Sequence, residues 1–568
     1  MVSSGFRGRR CSTLPGVASH SDALTSGLVR DSIPYSRLPW IRPLVEAATH
    51  RYDSVAPLFH GNPSDQAAWQ ATIDRVTARP RDRQGIAAVL QAQLTRRAAP
   101  AQALAAAGDL AAPNAVAVVT GQQAGLFGGP LYTLLKAVTT IQLARQARER
   151  YGVPVVPVFW VDADDHDWNE IRTAHLLDKD LALASVTAAD LPGAGDLPVG
   201  ALTFDATIAG TIEDLAAKLA PSEFTQPLLD TLRTHYRAGT NPATACAGWL
   251  DALLGAEGLV VFEASDPAAK RIAAPVFARE LSNPCGSARM AREAGDRMAQ
   301  AGHAAQIVPG DDVVCVFRLE DDGRRPIRCR DGQFVVGDRE VSATDLRADA
   351  EADPERYSAN VLLRPIVQDT LFPTVCYVAG PSELAYHAQL GDIYKSFGVE
   401  APLVACRASA TFVDSAAARF FDRNAIALEA MQPQDESALN RLLASQMPPE
   451  VDEAFDALDR LITDCTPRLV AAATAVDPTL AGAADTTVVK MRETVKNLQG
   501  KILQASKKKD ETLRRQFIRT RTLTFPDGQP QERLLSVAYF INRYGFDLGT
   551  RLVEGLPVTA DSHFVVVP

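Results

Sequence analysis

The stretch Ala115–Pro130, AVAVVTGQQAGLFGGP, decides how the rest of the 568-residue chain is read. Ala115 to Thr120 is a short apolar run of strand character that ends in a glycine-rich loop, Gly121 to Gly129. Pro130 is set to open a helix, because the first helical position needs no N–H. That helix carries Leu131, Leu134, Leu135, Val138 and Ile141 at helical spacing, with Arg145, Arg148 and Arg150 toward its C-terminal end, where cations complement the dipole. Val158 to Val161 then supplies a second strand. Pro157 fits as its first residue, since a proline inside a central strand deletes a ladder hydrogen bond. Strand, loop, helix and strand make one βαβ unit with a right-handed crossover, the seed of a parallel α/β sheet.

The same grammar returns downstream. Thr374 to Val378 is an apolar run ended by Gly380-Pro381, and the helix expected next buries Tyr386, Leu390, Ile393 and Phe397 before Gly398 stops it. Pro402 to Ala405 reads as a further strand, and Leu259 to Phe262 as a candidate core strand in between. The intervening residues are rich in turns, so the reading is one split α/β domain. Residues 1–30 form a disordered extension, 31–190 the N-terminal helices and first half of the core, 191–353 connecting insertions, 354–414 the second half, and 415–568 a helical domain with a C-terminal segment. In that last part Val451, Phe455, Leu458 and Ile462 repeat in 4-3-4 steps, as do Met491, Val495, Leu498, Ile502 and Ala505. Pro467 and Pro478 should separate the two helices, giving an antiparallel hairpin.

Composition narrows the function. Lys and Arg number 58 against 68 Asp and Glu, a net charge of −10, which argues against wrapping nucleic acid or an anionic membrane. No run approaches 18 uninterrupted apolar residues, and no apolar segment follows the basic start, so a cytoplasmic protein is expected. The 8 cysteines are scattered, with no CxxC and no zinc spacing, as free thiols in a reducing compartment would be. One segment is basic: Lys490 to Arg521 has eleven Lys and Arg against Glu493, Asp510 and Glu511. Its Lys507, Lys508 and Lys509 are either a solvated flank or a nucleotide-phosphate site.

The candidate chemistry gathers at strand ends. In the glycine loop, Gly121, Gly125, Gly128 and Gly129 let backbone N–H groups approach a ligand, and Gln122 and Gln123 add hydrogen-bonding capacity; the loop fits neither the Walker nor the dinucleotide pattern, and a tight structural turn is the alternative. After the second strand, Asp162-Ala-Asp-Asp-His-Asp-Trp-Asn-Glu170 crowds five carboxylates and an imidazole onto the carboxyl edge of the sheet, where open α/β folds bind ligands. Here Asp165, His166 and Asp167 are the catalytic candidates, with His166 a general base or a divalent-metal ligand, while Asp162 and Asp164 fit equally well as helix caps or solvent-facing carboxylates. Arg364, Gln368, Asp369, Glu383 and Tyr386 are further candidates. Glu383 and His387 have metal-pair spacing, which is also that of an ordinary helical hydrogen bond. Arg407 and Ser409 either bind a carboxylate or start a turn.

Four stretches together resemble the bacillithiol-biosynthesis cysteine-adding enzyme family, BshC: Thr120–Val138, Pro157–Ile171, Asn360–Val399 and Phe525–Arg533, followed by the family-like Tyr539–Gly545. Asp527 stands where the family has Asn. The resemblance implies a Rossmann-like parallel-sheet core similar to class I aminoacyl-tRNA synthetases, split by connecting-peptide insertions and completed by a C-terminal α-helical coiled coil that makes a homodimer. It implies a ligase that joins L-cysteine to the amine of glucosaminyl-malate, the last step to bacillithiol. Amide formation requires an activated carboxylate, so ATP is the expected cosubstrate, although the HIGH and KMSKS signatures of the synthetases are absent. Without a thiolate zinc site, cysteine would be told from serine by pocket shape and desolvation. Malate brings two carboxylates, for which Arg364 and Arg407 are the expected cations. The alternative is a non-catalytic nucleotide-binding or scaffolding dimer built on the same core.

Overall fold

The computed structural model describes residues 27–445, 449–509, 511–558 and 561–568, with only the backbone of 449, 503 and 506–509. The chain divides into two compact units. One comprises the described residues up to Phe412 together with Glu532–Pro568, and the other is Val413–Gln531. The extension expected over residues 1–30 is shorter at its C-terminal end, because Val29 and Arg30 already belong to a strand; residues 1–26 lie outside the described residues.

In chain order the strands are β1 (Val29–Pro34), β2 (Val116–Gln123), β3 (Val155–Asp162), β4 (Thr173–Leu177), β5 (Leu183–Thr187), β6 (Val260–Glu263), β7 (Val313–Glu320) and β8 (Gly323–Arg330). They continue with β9 (Gln333–Val336), β10 (Arg339–Val341), β11 (Tyr357–Ala359), β12 (Thr374–Ala379), β13 (Leu403–Cys406), β14 (Ser409–Phe412) and β15 (Ser562–Val566). The central sheet is parallel with spatial order β13-β12-β2-β3-β6. From β2 the chain builds outward through β3 to β6 and then returns to the other side of β2 to lay down β12 and β13. The topological switch point is therefore the crevice between the carboxyl ends of β2 and β12, where open α/β sheets bind their ligands. Valines 116, 118, 155, 375 and 378 are buried on this sheet and pack with Trp69, Ile73, Val76, Ala144 and Ala147.

The sequence placed Pro157 at the start of its strand, but it lies inside β3, opposite Val118. The Val116 N–H bonds to the Pro154 carbonyl, so in this register the odd-numbered residues of β3 point toward β6. Pairing with β6 begins only at Val158–Val260, so the donor that Pro157 lacks falls where the ladder does not yet exist.

The region between the two halves of the core holds β6 and a separate antiparallel sheet, β10-β9-β8-β7-β11. The helix after β2, α1, spans Leu131–Tyr151, and Gly152 caps it in the left-handed conformation. The helix before β12 is α2 (Arg364–Leu371), and that after it is α3 (Pro381–His387). One helix was expected to run on to Gly398. It is instead broken after His387 and restarts at Gly391–Phe397, although Tyr386, Leu390, Ile393 and Phe397 are all buried as expected.

The terminal segment 532–568, expected with the helical domain, is part of the first unit. Its strand β15 lies between β1 and β14, and Leu535–Val537 clamps the glycine loop: Leu131 N–H donates to the Leu535 carbonyl and Val537 N–H to that of Gly129.

In the second unit, α4 (Pro449–Val476) and α5 (Ala481–Lys509) form the helical hairpin. Helix α4 runs straight through Pro467, and only Pro478 takes part in the reversal. The N–H lost at Pro467 would have served Thr463, whose exposed position lets water take its place. The expected seam is divided. Val495 and Ile502 are half-buried with Val451, Phe455 and Ile462, whereas Leu458, Met491, Leu498 and Ala505 are exposed.

Candidate functional site

A cavity of about 680 Å³ opens at the switch point. Its walls come from β2 (Gly121, Gln122, Gln123), α1 (Tyr132, Lys136), β3 and the loop after it (Trp160, Asp162, Asp165, Glu170), α2 (Arg364) and the start of α3 (Gly380, Glu383, Tyr386). The inserted antiparallel sheet adds Phe317 and Arg324. A second space of about 450 Å³ shares Gln122, Gln123, Tyr132, Glu170 and Arg533 with the first and extends to Gly125, Gly129 and His175.

The charged groups are held in pairs. Lys136 Nζ meets Glu383 Oε2 at 2.5 Å and also donates to the Gly121 carbonyl and Gln122 Oε1, at 2.8 and 2.9 Å. Glu383 in turn accepts from the Tyr377 hydroxyl at 2.8 Å and the Gly380 N–H at 2.6 Å. Burial opposes ionisation of Glu383, but Lys136 and these donors outweigh it and hold the carboxyl below its ordinary range. Arg364 is bound only to neutral oxygens: Tyr386 Oη at 2.8 Å, Gln368 Oε1 at 3.1 Å and Tyr377 Oη at 3.4 Å. Its positive charge therefore faces the cavity without a carboxylate hydrogen-bonded to it.

On the β3 side, Gln123 Nε2 bridges Asp165 and Glu170 at 2.6 and 2.9 Å. Burial works against the Asp165 carboxylate; hydrogen bonds from Gln123 and the His166 N–H, with Arg324 nearby, prevail and lower its pKa. Arg324 stacks on Phe317 at 3.8 Å, donates to Ser358 Oγ and the Ala359 carbonyl, and lies 3.7 Å from Asp165. Asp162 is different: burial, the largest influence, pushes its carboxyl up to about 6.

This architecture has a known counterpart. The sequence model described as "Bacillithiol biosynthesis BshC, N-terminal Rossmann-like domain" matches residues 31–408, and that of the BshC C-terminal coiled-coil domain matches residues 410–567. The chain belongs to the BshC family. A relative from Salinibacter ruber is 33% identical over 524 residues, covering 91% of this chain and 94% of its own length. One from Koribacter versatilis is 31% identical over 542 residues, covering 95% and 100%, and one from Bacillus cereus is 27% identical over 444 residues, covering 78% and 82%. All three bear the name "Putative cysteine ligase BshC". The chain is accordingly a ligase of the bacillithiol-biosynthesis family.

The sequence candidates divide when placed on the structure. Asp165, Gly121, Gln122, Gln123, Arg364, Glu383 and Tyr386 converge on the cavity. His166 and Asp167 are not in its walls: Asp167 caps the helical turn Trp168–Ile171, and the half-buried His166 leans toward Arg324 and Asp165. Gln368 and Asp369 are buried behind Arg364, where Gln368 also donates to Asp369 and Tyr394 holds the other Asp369 oxygen. Arg407 reaches the cavity wall, but its guanidinium is consumed by Glu532 at 2.8 and 3.1 Å and by the Ala408 carbonyl. Ser409 lies deeper still, between Glu532 and His563.

The glycine loop needs the largest correction. Gly121, Gln122 and Gln123 are the end of β2, paired with Trp160, Val161 and Asp162. Beyond them the Gly125, Gly128 and Gly129 N–H groups bond to carbonyls of Gln123, Gly125 and Leu126, so these amides make no phosphate cradle. The glycines serve packing: a Cβ on Gly128 would stand 2.6 Å from Trp249 Nε1, and one on Gly125 2.7 Å from Gly129 Cα. His387 is no metal partner of Glu383. It is buried against Tyr377 and Tyr386, and that burial depresses its pKa to about 3, keeping it neutral. Among the described residues no cluster of three or more His, Cys, Asp or Glu side chains is arranged to hold a metal ion, and no helix is long and apolar enough to cross a membrane. Lys507, Lys508 and Lys509 end α5, and their side chains lie outside the described residues.

Sequence reasoning missed Lys136, Arg324, Tyr377 and Arg533. Lys136 had a signal, the single charged residue in the stretch Leu131–Ile141. Arg324 had none, because its position depends on the fold of an insertion.

Proposed function

We propose that this chain joins the carboxyl group of L-cysteine to the amine of glucosaminyl-malate, forming the amide of bacillithiol. Membership of the BshC family supports the reaction class. The observation that carries the substrate reading is the polarity of the cavity. Arg364 offers a cation with no carboxylate hydrogen-bonded to it, and exposed Arg533 also lines the cavity, as a dicarboxylate requires. Asp162, Asp165 and Glu170 also line the cavity, and their carboxylates suit an ammonium group.

Two spaces that share lining residues suit two substrates that must meet. Gln122 and Gln123 stand between them and present amide groups to both. An amide cannot form at a useful rate from a free carboxylate, so a nucleoside triphosphate, with ATP the natural choice, is the proposed activating cosubstrate. The loop amides do not fit its phosphates, and no residue is assigned to them. The exposed row on the helical hairpin supports a homodimer.

The test supplies purified protein with cysteine, glucosaminyl-malate and ATP or another nucleoside triphosphate, and follows product by mass spectrometry. Bacillithiol that appears only when all components are present is the expected result. A well-folded protein that binds nucleotide and yields no product with any of them is a binding or scaffolding protein instead.

A further inference from the structure

We propose that the Asp162 carboxylate is the proton acceptor for the attacking amine. The assignment rests on the ligase reading above and adds to it the residue that makes the nucleophile.

Asp162 is the last residue of β3, side by side with Gln123 at the end of β2, and its carboxylate borders the main cavity. The other carboxylates of that cavity are already engaged. Asp165 accepts from Gln123 and the His166 N–H, Glu170 from Gln123, and Glu383 from Lys136, Tyr377 and Gly380. Asp164, next along the chain, is tied to Lys270 at 2.8 Å. Among the described residues, none donates a hydrogen bond to the side chain of Asp162. A half-buried carboxylate with open lone pairs at the ligand-binding edge of a parallel sheet is satisfied by whatever donor the substrate brings, and an ammonium group is such a donor.

The surroundings adjust its basicity. Burial raises its pKa to about 6, Asp165 and Asp164 push the same way, and Arg364 and Arg324 oppose them. Lys270 faces it across the small space it shares with Asp164, and the Lys136–Glu383 pair lies across the main cavity. The outcome is a base stronger than an ordinary carboxylate that is still ionised near neutral pH, the compromise that general-base catalysis favours. Asp165, with its pKa lowered, is a poorer acceptor.

The step balances. The ammonium N–H bond breaks and its proton passes to a carboxylate oxygen of Asp162. The freed nitrogen lone pair forms the C–N bond to the carboxyl carbon of cysteine, carried as a phosphoryl- or nucleotidyl-activated acyl donor. The bond from that carbon to the leaving oxygen then breaks, the phosphate or nucleotide departs with the electron pair, and the second proton that the joined nitrogen must lose to become an amide passes to an oxygen of the departing phosphate group.

The experiment compares wild type, Asp162→Asn and Asp162→Glu in product formation across pH 5 to 9 (with about 0.5-unit steps), with melting temperature as the fold control. Wild type is expected to show rate rising with pH through about 6, since the acceptor works only when deprotonated. Asp162→Asn should lose at least about a hundredfold in kcat and the acid limb with it. Asp162→Glu should keep part of the rate and a displaced acid limb. If the Asn chain turns over like wild type with the limb intact, Asp162 is not the acceptor and the ligase reading stands. If the Asn chain does not fold, an acid limb in the Glu chain at the wild-type position overturns the assignment. Absence of product from well-folded wild type overturns both readings.

Discussion

Arg364 and Arg407 line the same cavity but spend their charge differently, and only residue-level contacts reveal it. Arg407 is locked to Glu532, both almost fully buried, while Arg364 is held by phenol and amide oxygens that orient it without neutralising it. Arg364→Gln should therefore raise the KM for glucosaminyl-malate roughly tenfold or more, the loss of one charge-assisted pair of about 1.5–3 kcal/mol, with little change in the KM for cysteine. Arg407→Gln should act on the fold instead. It strands a buried carboxylate at a cost of about 3–5 kcal/mol, visible as a lower midpoint in urea unfolding. Equal KM effects from both variants, with unchanged stability, would contradict this division. The sequence singled out both arginines because each follows an apolar run. It had no means of separating them, since Glu532 lies 125 residues from Arg407 and is brought back only by the terminal segment. The same limit applies to Asp162, whose lack of a partner is a property of its neighbours.

At the scale of elements, the parallel strands and the helix after Pro130 were legible because apolar runs and helical spacing are local signals. The glycine loop was legible as a turn, while its purpose, ligand contact or tight packing, was left open. Glycine permits close approach of a ligand or of another part of the chain, and composition does not distinguish them. Gly128, with φ of +93° and Trp249 pressed on it, is the decisive position. Gly128→Ala should lower the melting temperature by several degrees through backbone strain and displacement of Trp249, with activity per folded molecule reduced as α1 and the end of β2 shift. Gly210, in the helix Thr207–Lys218 with nothing within 4 Å of its added Cβ, provides the control. Gly210→Ala should be neutral or stabilise by up to about 1 kcal/mol, because alanine is the better helix former. Calorimetric scans of the two variants check the contrast. Equal destabilisation at both sites would mean that the Trp249 contact does not constrain the loop. Pro157 and Pro467 teach a related lesson: an element tolerates a proline where its missing donor had no partner, as in β3, or where water can serve the acceptor left behind, as in α4.

For the whole molecule, the hairpin of the second unit was foreseen from its heptads, and the apolar stripe of α5 divides into a packed and an exposed row. Val488 is buried and Val495 and Ile502 are half-buried, at seven-residue spacing, so one stripe of α5 suffices to pack it on α4. Met491 and Leu498 remain 47% and 51% exposed, and Leu461 on α4 is 60% exposed. Leaving large apolar side chains in water forfeits about 25 cal/mol for every Å² that could be buried, and Met491 and Leu498 recur at the same seven-residue spacing as the seam. In the proposed homodimer, a second copy of the chain would supply a matching surface by two-fold symmetry, each hairpin offering the same row to the other. The double change Met491→Asp and Leu498→Asp is then expected to yield a monomer by sedimentation at micromolar concentration while helical content and the melting profile of the first unit persist. Val495→Asp, one stripe over, should unfold the hairpin itself, since it places a carboxylate against α4. Should the exposed-row variant remain dimeric, the subunit contact lies elsewhere and this row has no part in it. Loss of helix from both variants alike would instead put Met491 and Leu498 back into the intramolecular seam, as the undivided heptad first suggested.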